Sequence, residues 1–394
     1  MADALPDSPD RPRHVDRFIA GDPIRAVAAL SVVLYHAAFF AVAYSRSDFG
    51  TFSQGLGPPG VLLQNLDVGL YLFFVLSGYL IAGPFVRSYV AGTAGPQWRG
   101  YARNRILRIV PAFWFVYALV LIVYGTSHDS PGQILSVFFF GQAFVPGKTQ
   151  GYVGQAWTLG IELSFYLAVP LISALVARLT PATTGAGTRL RIVVIACALA
   201  GSGSLALRQW GPHTQGFQST LLALGFAFVP GVLLAAAELA PRVRRLASGR
   251  WVVPGLAVAA AVAFAGTCSV APHMIGRDPH VTASRGLLAA LCAGCVVAAA
   301  LARQRAGRGA PSGLDNRFLR WVGARSYGVY LVHQAFYGAY AFISHPQRPW
   351  PMFFYLLASI PLILGAAAVS FALVERPALE RRVPWRRAAG PPRA

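Results

Sequence analysis

Apolar runs of membrane-crossing length follow one another from position 24 to position 374, separated by short polar loops. A helix that crosses the hydrocarbon core of a bilayer needs about 20 mostly apolar residues. Runs at 24–44, 66–86, 106–124, 157–177, 191–207, 219–237, 251–266, 284–301, 318–343 and 351–374 meet or approach that length, and the pattern predicts ten helical spans. A further run, 134–145, is too short to cross. The placement of arginine decides how to read it, because basic residues collect in cytoplasmic loops. With 134–145 excluded and the amino terminus inside, the Arg-bearing segments 87–105, 178–189, 242–250 and 303–317 all face the cytoplasm. Counting it as a span would turn the later clusters outward. The segment is therefore expected to be re-entrant or interfacial, on the outer side, where protein can bury its backbone.

Composition agrees with this pattern. Of 394 residues 55% are hydrophobic and 12% charged, too few charges to clothe a soluble globule. The net charge of +20 does not point to nucleic acid, since the basic residues are spread over loops that flank apolar spans. The expected organisation is an all-α integral membrane protein with both termini cytoplasmic. Residues 1–23 form a polar tail, 24–377 a single membrane domain, and 378–394 a basic tail. Acidic residues in the first 23 positions argue against a cleaved leader. Cys197, Cys268, Cys292 and Cys295 lie in or beside apolar runs; Cys292 and Cys295 have ligand spacing but no partners to complete a zinc site, so no metal is expected.

Ionisable groups inside a bilayer are costly and by default functional. Glu162, His36 and His333 are the ones placed well inside predicted spans, and Arg25 lies at the start of the first. Arg25 and His36 are eleven residues apart, and eleven steps of about 100° bring them to one helix face, roughly 16 Å apart. That spacing would put Arg25 at the cytoplasmic headgroups and His36 about half-way across. An imidazole takes and returns a proton near neutrality, and a buried carboxylate could fix its tautomer. Glu162 is expected in that role; the bland alternatives are a helix-packing histidine and a Glu162 paired to an interior arginine. Ser77, flanked by Gly78, lacks the context of a nucleophile elbow and is read as close helix packing.

At these residues the chain resembles the acyltransferase-3 family of membrane acyltransferases. Arg25, ten residues and His36 match its Arg-x10-His signature. GLYLFFVLSGYLI from Gly69, RNRILRIVPAFW from Arg103, WTLGIELSFYLAVP from Trp157, SYGVYLVH from Ser326, and Glu375 with Pro377 are similar to its later blocks, in order. The resemblance runs from Arg25 to Pro377. It implies a multi-pass protein of the plasma (inner) membrane, among membrane lipids, that moves an acetyl or other short acyl group. The donor would be acyl-CoA as co-substrate with no bound cofactor; the acceptor would be a hydroxyl of a cell-surface glycan, glycolipid or macrolide. His36 and Glu162 are then the expected catalytic residues and Arg25 a donor-binding one. Tyr71 stands where the family often has a charge, and a carboxyl-terminal hydrolase-like domain found in some relatives is not expected.

Arg105 and Arg108, one helical turn apart, could bind donor phosphates, or could be topogenic charges at the headgroups. Arg99 and Arg103 are weaker candidates, and Trp98 and Tyr101 could stack on adenine. His333, with Ser326 and Tyr327 two turns earlier, is either a second site group or a core histidine. Direct transfer and an acyl-histidine relay are both compatible with this set. The rival class is a proton-coupled transporter or flippase, which also uses buried His and Glu.

Overall fold

We describe residues 18–45, 58–125, 130–144, 153–270, 279–307, 316–343 and 349–383 of a computed structural model of the chain. The predicted tail 1–23 lies almost wholly outside these residues, as does 384–394. The helices are α1 (Gly21–Ser45), α2 (Pro58–Gln64), α3 (Val68–Ala91), α4 (Trp98–Tyr124), α5 (Pro131–Phe138), α6 (Trp157–Leu179), α7 (Ala186–Trp210), α8 (Val229–Ala237), α9 (Pro241–Ala247), α10 (Val252–Val270), α11 (Pro279–Arg305), α12 (Arg317–Ala324), α13 (Ser326–Ile343), α14 (Pro349–Ala358) and α15 (Ile360–Ser370). No strand occurs among the described residues.

Eight helical stretches are long and apolar enough to cross a membrane: Gly21–Ala43, Val68–Ala91, Trp98–Tyr124, Gly154–Leu179, Ala186–Trp210, Val252–Val270, Thr282–Arg305 and Pro351–Glu380. Two of the ten expected runs, each interrupted, are absent from this set. Run 219–237 divides into Leu221–Leu224, a 3-10 turn Gly225–Ala227, and α8, which begins beside Pro230; proline has no N–H to continue the ladder. Run 318–343 breaks at Arg325, between the amphipathic α12 and α13. In the last stretch Ser359 precedes Pro361, and the helix loosens again into a π-turn, Phe371–Glu375.

The short run behaves as its length dictates. The eight residues of α5 span about 12 Å at 1.5 Å per residue, and a 3-10 turn, Gln142–Phe144, follows. It is capped by Ser130 and Gln133, and Trp114 of α4 stacks on Phe138 and donates to its carbonyl.

Helix α3 is the central post, with 72% of its most apolar window buried. Helices α1, α6, α8 and α11 pack round it, and α10 pairs with α11 as an outer hairpin. Small residues set these approaches, as expected where hydrocarbon gives no hydrophobic drive between helices. A Cβ at Gly231 would overlap the Val75 carbonyl, and one at Gly78 would overlap the Phe228 carbonyl. Further along the same pair, Tyr79 donates to Glu238 at 2.9 Å, so α8 runs parallel to α3. Ion pairs close both ends of the core: Glu238 with Arg305, and Asp67 with Arg285, which also donates to Asn65.

The docking of α1 sets the level of Arg25 and His36 within the bundle. Gly69 in the first turn of α3 lies against Ala28, and Phe18 touches Tyr79 at 5.6 Å between ring centroids. Helix α1 is thus displaced along its axis relative to α3, and Arg25 stands opposite the second turn of α3, near Leu72. His36, about 16 Å further on, falls level with the start of α6.

The α3–α8 contact yields a stability prediction. Gly231→Val drives a side chain into the backbone of α3 and should lower the melting temperature of detergent-purified protein by many degrees or prevent folding. Gly255→Ala in α10, where an added Cβ meets nothing within 4 Å, should leave it unchanged or slightly raised, because alanine is the better helix former by about 1 kcal/mol.

Candidate active site

A cavity of about 390 Å³ opens among α1, α3, α4, α6 and α13. Its walls carry Arg25 from α1, Ser77 from α3, Arg105 and Arg108 from α4, Glu162 and Tyr166 from α6, and Ser326, Tyr327 and Tyr330 from α13. Arg382, just past the last helix, completes the lining. Helix geometry makes this convergence possible: Arg105 and Arg108, and Glu162 and Tyr166, are each about one turn apart and share a face. Arg25, Arg105, Arg108, Glu162, Ser326 and Tyr327, all singled out from sequence, therefore meet at one place, whereas His36 and His333 are not in its lining.

The cavity is strongly cationic. Glu162 is the one carboxylate in its lining, against four guanidinium groups. Arg25 is partly balanced by Asp22, at 3.0 Å. The guanidinium of Arg105 lies over the rings of Tyr101 and Tyr166, at 5.8 and 5.5 Å from their centroids. Arg382 feels burial first and then the like charges of Arg108 and Arg105, which lower its pKa from the ordinary arginine value to about 10. It remains charged at neutral pH, so an anion entering the cavity relieves repulsion among fixed cations.

Glu162 does not support His36, and that expectation is corrected. Its Oε1 accepts from Ser77 at 2.9 Å and from the Tyr166 hydroxyl. Ser77 thus holds the carboxylate, while its neighbour Gly78 gives the close helix contact foreseen for this dipeptide. Arg99 and Arg103 are exposed and do not line the cavity, and Trp98 is 67% exposed. Tyr101 is packed edge-on against Phe85 and donates to the Tyr166 carbonyl, which leaves it no free face for a base.

The partner of His36 is His333. The Nε2 of His333 lies 3.2 Å from the Nδ1 of His36. The Nδ1 of His36 is also 2.9 Å from the Val32 carbonyl, and the Nδ1 of His333 is 3.3 Å from the Val329 carbonyl. A carbonyl can only accept, so each Nδ1 carries the hydrogen. The Nδ1–H of His36 is then shared between Val32 and the lone pair of His333 Nε2. This leaves the Nε2 of His36 as an unprotonated lone pair, on a ring that is half-buried, while His333 is fully buried. The arrangement has the logic of a catalytic base oriented by a second group. Tyr330 separates the pair from the cavity: it lines the cavity, its ring is 5.8 Å from that of His333, and its hydroxyl is fixed by Thr158 and the Gln155 carbonyl.

Sequence reading missed Arg382, Tyr166, Tyr330 and Gln155. Arg382 sat inside a run read as a basic tail. The other three carry no charge, and the Gln155–Tyr330 contact spans 175 residues, beyond any local pattern. Glu375 is 97% buried by its 3% exposure, and its Oε1 has no hydrogen-bond partner among the described residues; it faces Gly328, where a Cβ would come within 2.9 Å of it. Among the described residues no cluster of His, Cys, Asp or Glu could hold a metal ion.

The structure thus sets a cationic cavity beside a pair of oriented imidazoles, inside a bundle of apolar helices. The family model of the acyltransferase domain matches residues 21–374, and the chain belongs to this acyltransferase family. It is 24% identical over 387 residues to YrhL of Bacillus subtilis, named as a peptidoglycan O-acetyltransferase, covering 92% of this chain and 55% of that protein. It is 28% identical over 344 residues to nodulation protein 10 of Rhizobium leguminosarum, with 80% and 82% covered. The O-acetyltransferase OatA of Staphylococcus aureus matches over 174 residues at 24%, or 40% of this chain and 25% of OatA. The chain thus spans about half the length of the first of these relatives and a quarter of the last. No solved structure matches it.

The hold on Glu162 is testable by stability. Ser77→Ala and Tyr166→Phe each remove one donor to a carboxylate and should cost on the order of 1.5–3 kcal/mol. In a Glu162→Gln background the same changes should cost less, a difference that thermal unfolding of the six proteins measures.

Proposed function

We propose that the protein is a membrane O-acyltransferase that moves an acetyl or other short acyl group from acyl-CoA to a hydroxyl of a glycan. The observation that carries this reading is the pairing of His36 with His333 beyond a cavity lined by four arginines. The donor's phosphates bind among the arginines, and its extended pantetheine arm runs along the face of α1 towards His36. The Nε2 of His36 takes the proton of the acceptor hydroxyl, and the resulting oxygen nucleophile attacks the thioester carbonyl. The carbon–sulfur bond breaks, and the imidazolium returns its proton to the departing thiolate of coenzyme A. His333 orients the base and accepts from its Nδ1–H as charge develops. Tyr330 must move, or the arm must pass beside it, for the two halves to meet.

The glycan acceptor is supported by the names of the relatives, two of which refer to O-acetylation and one to peptidoglycan. Glycolipid and macrolide hydroxyls are the other acceptors to assay. Ten crossings, with both termini cytoplasmic and the protein in the plasma membrane, fit this chemistry. The parallel course of α8 and α3 and the gathering of Arg-bearing loops at one end support that topology, and acyl-CoA is a cytoplasmic donor. Glu162 serves as the fixed counter-charge within the cation cluster.

The decisive measurement is release of free coenzyme A from acetyl-CoA by purified protein, with and without peptidoglycan fragments. Acceptor-dependent release should appear in the wild type and fall by on the order of 10²–10⁴ in His36→Ala. His333→Ala should lower kcat by a smaller factor, with little change in KM. Equal rates in wild type and His36→Ala would remove His36 from the mechanism.

A further inference from the structure

We propose that Arg382 is a further phosphate-binding residue of the donor site, held at the mouth of the arginine cavity by Asn104. The proposal rests on the acyl-CoA reading given above and extends the site to a segment beyond the last helix. Three observations carry it.

First, Arg382 lines the same cavity as Arg25, Arg105 and Arg108 although it lies outside every long helix. Second, its position is built. The side-chain amide of Asn104, only 3% exposed, donates from Nδ2 to the Val383 carbonyl at 2.8 Å, and its Oδ1 accepts from the Val383 N–H at 3.0 Å. These two bonds hold the backbone next to Arg382 as a neighbouring strand would. Gly100, one turn before Asn104, meets the Val383 side chain: a Cβ there would come within 3.3 Å of it. Third, no carboxylate among the described residues pairs with Arg382, whereas Arg108, Arg105 and Arg25 act on it as like charges. The buried asparagine therefore fixes an exposed cation at the rim of the cavity, beside three others and open to an anion arriving from solution. Guanidinium binds phosphate bidentately, and coenzyme A presents a diphosphate and a ribose phosphate. Arg382 at the open edge is suited to the phosphate that enters last.

The shared chemistry is a phosphate, which a lipid headgroup also offers, and the test separates the two sources. Wild-type protein, Arg382→Gln, Arg382→Lys and Asn104→Ala are placed in phosphatidylcholine nanodiscs. KM is measured with acetyl-CoA and with S-acetylpantetheine, which keeps the thioester arm but has no phosphate, and coenzyme A binding is measured directly. The expected result is a rise of tenfold or more in the ratio of the acetyl-CoA KM to the S-acetylpantetheine KM for Arg382→Gln. Asn104→Ala should shift the ratio the same way, and Arg382→Lys should restore part of it. Coenzyme A should bind the glutamine variant correspondingly more weakly. A ratio unchanged in both Arg382→Gln and Asn104→Ala overturns the proposal. If wild-type affinity for coenzyme A falls to that of Arg382→Gln when phosphatidylglycerol is added, Arg382 belongs to the headgroup and the proposal is also overturned. A wild type that binds coenzyme A but consumes no thioester would sink the transfer reading alone, and the binding comparison would still decide the role of Arg382.

Discussion

Mutual repulsion of guanidinium groups inside an apolar bundle is the constraint on which the remaining architecture depends. Charges cannot be left in a low-dielectric interior without partners or a solvated cavity. The bundle meets that condition by spacing Arg25, Arg105, Arg108 and Arg382 round an open volume. It also provides local compensation: Asp22 for Arg25, tyrosine faces for Arg105, and the single carboxylate of Glu162 in the wall. Elsewhere in the core, Glu238 pairs with Arg305 and Asp67 with Arg285. In the cavity positive charge is gathered and left in excess, four guanidinium groups against one carboxylate.

The histidine pair is placed by different means. Each ring is tied to the carbonyl one turn earlier in its own helix, so the tautomer is set by local α-helical geometry and then read across the α1–α13 interface. Two backbone carbonyls and a second imidazole do for His36 what a carboxylate does in many hydrolytic triads. This leaves the carboxylate of Glu162 free for electrostatic work among the arginines.

Much of the site was legible in the sequence because its chemistry is ionic and its backbone helical. Spacing put Arg25 and His36 on one face, and the cost of burying charge singled out Glu162 and His333. Pairing was not legible. Which of two buried groups meets His36 depends on the axial displacement of α1 against α3, set by a contact between Gly69 and Ala28 that no periodicity reveals. The interruptions within two apolar runs were not legible for a related reason. Apolar content does not show where Pro230 or Arg325 divides a run that hydropathy joins. Tyr330, Gln155 and Asn104 are neutral residues whose roles come only from long-range hydrogen bonds.

The clasp between Asn104 and Val383 joins positions 279 residues apart. At about 5–20 residues per second of synthesis, α4 waits tens of seconds in the membrane before the segment that completes the cavity leaves the ribosome. During that interval the arginine wall stands open, and the His36–His333 pair, 297 residues apart, is also unmade. The cationic cavity and the histidine pair are therefore both completed only late in biogenesis, once the last spans have joined the first.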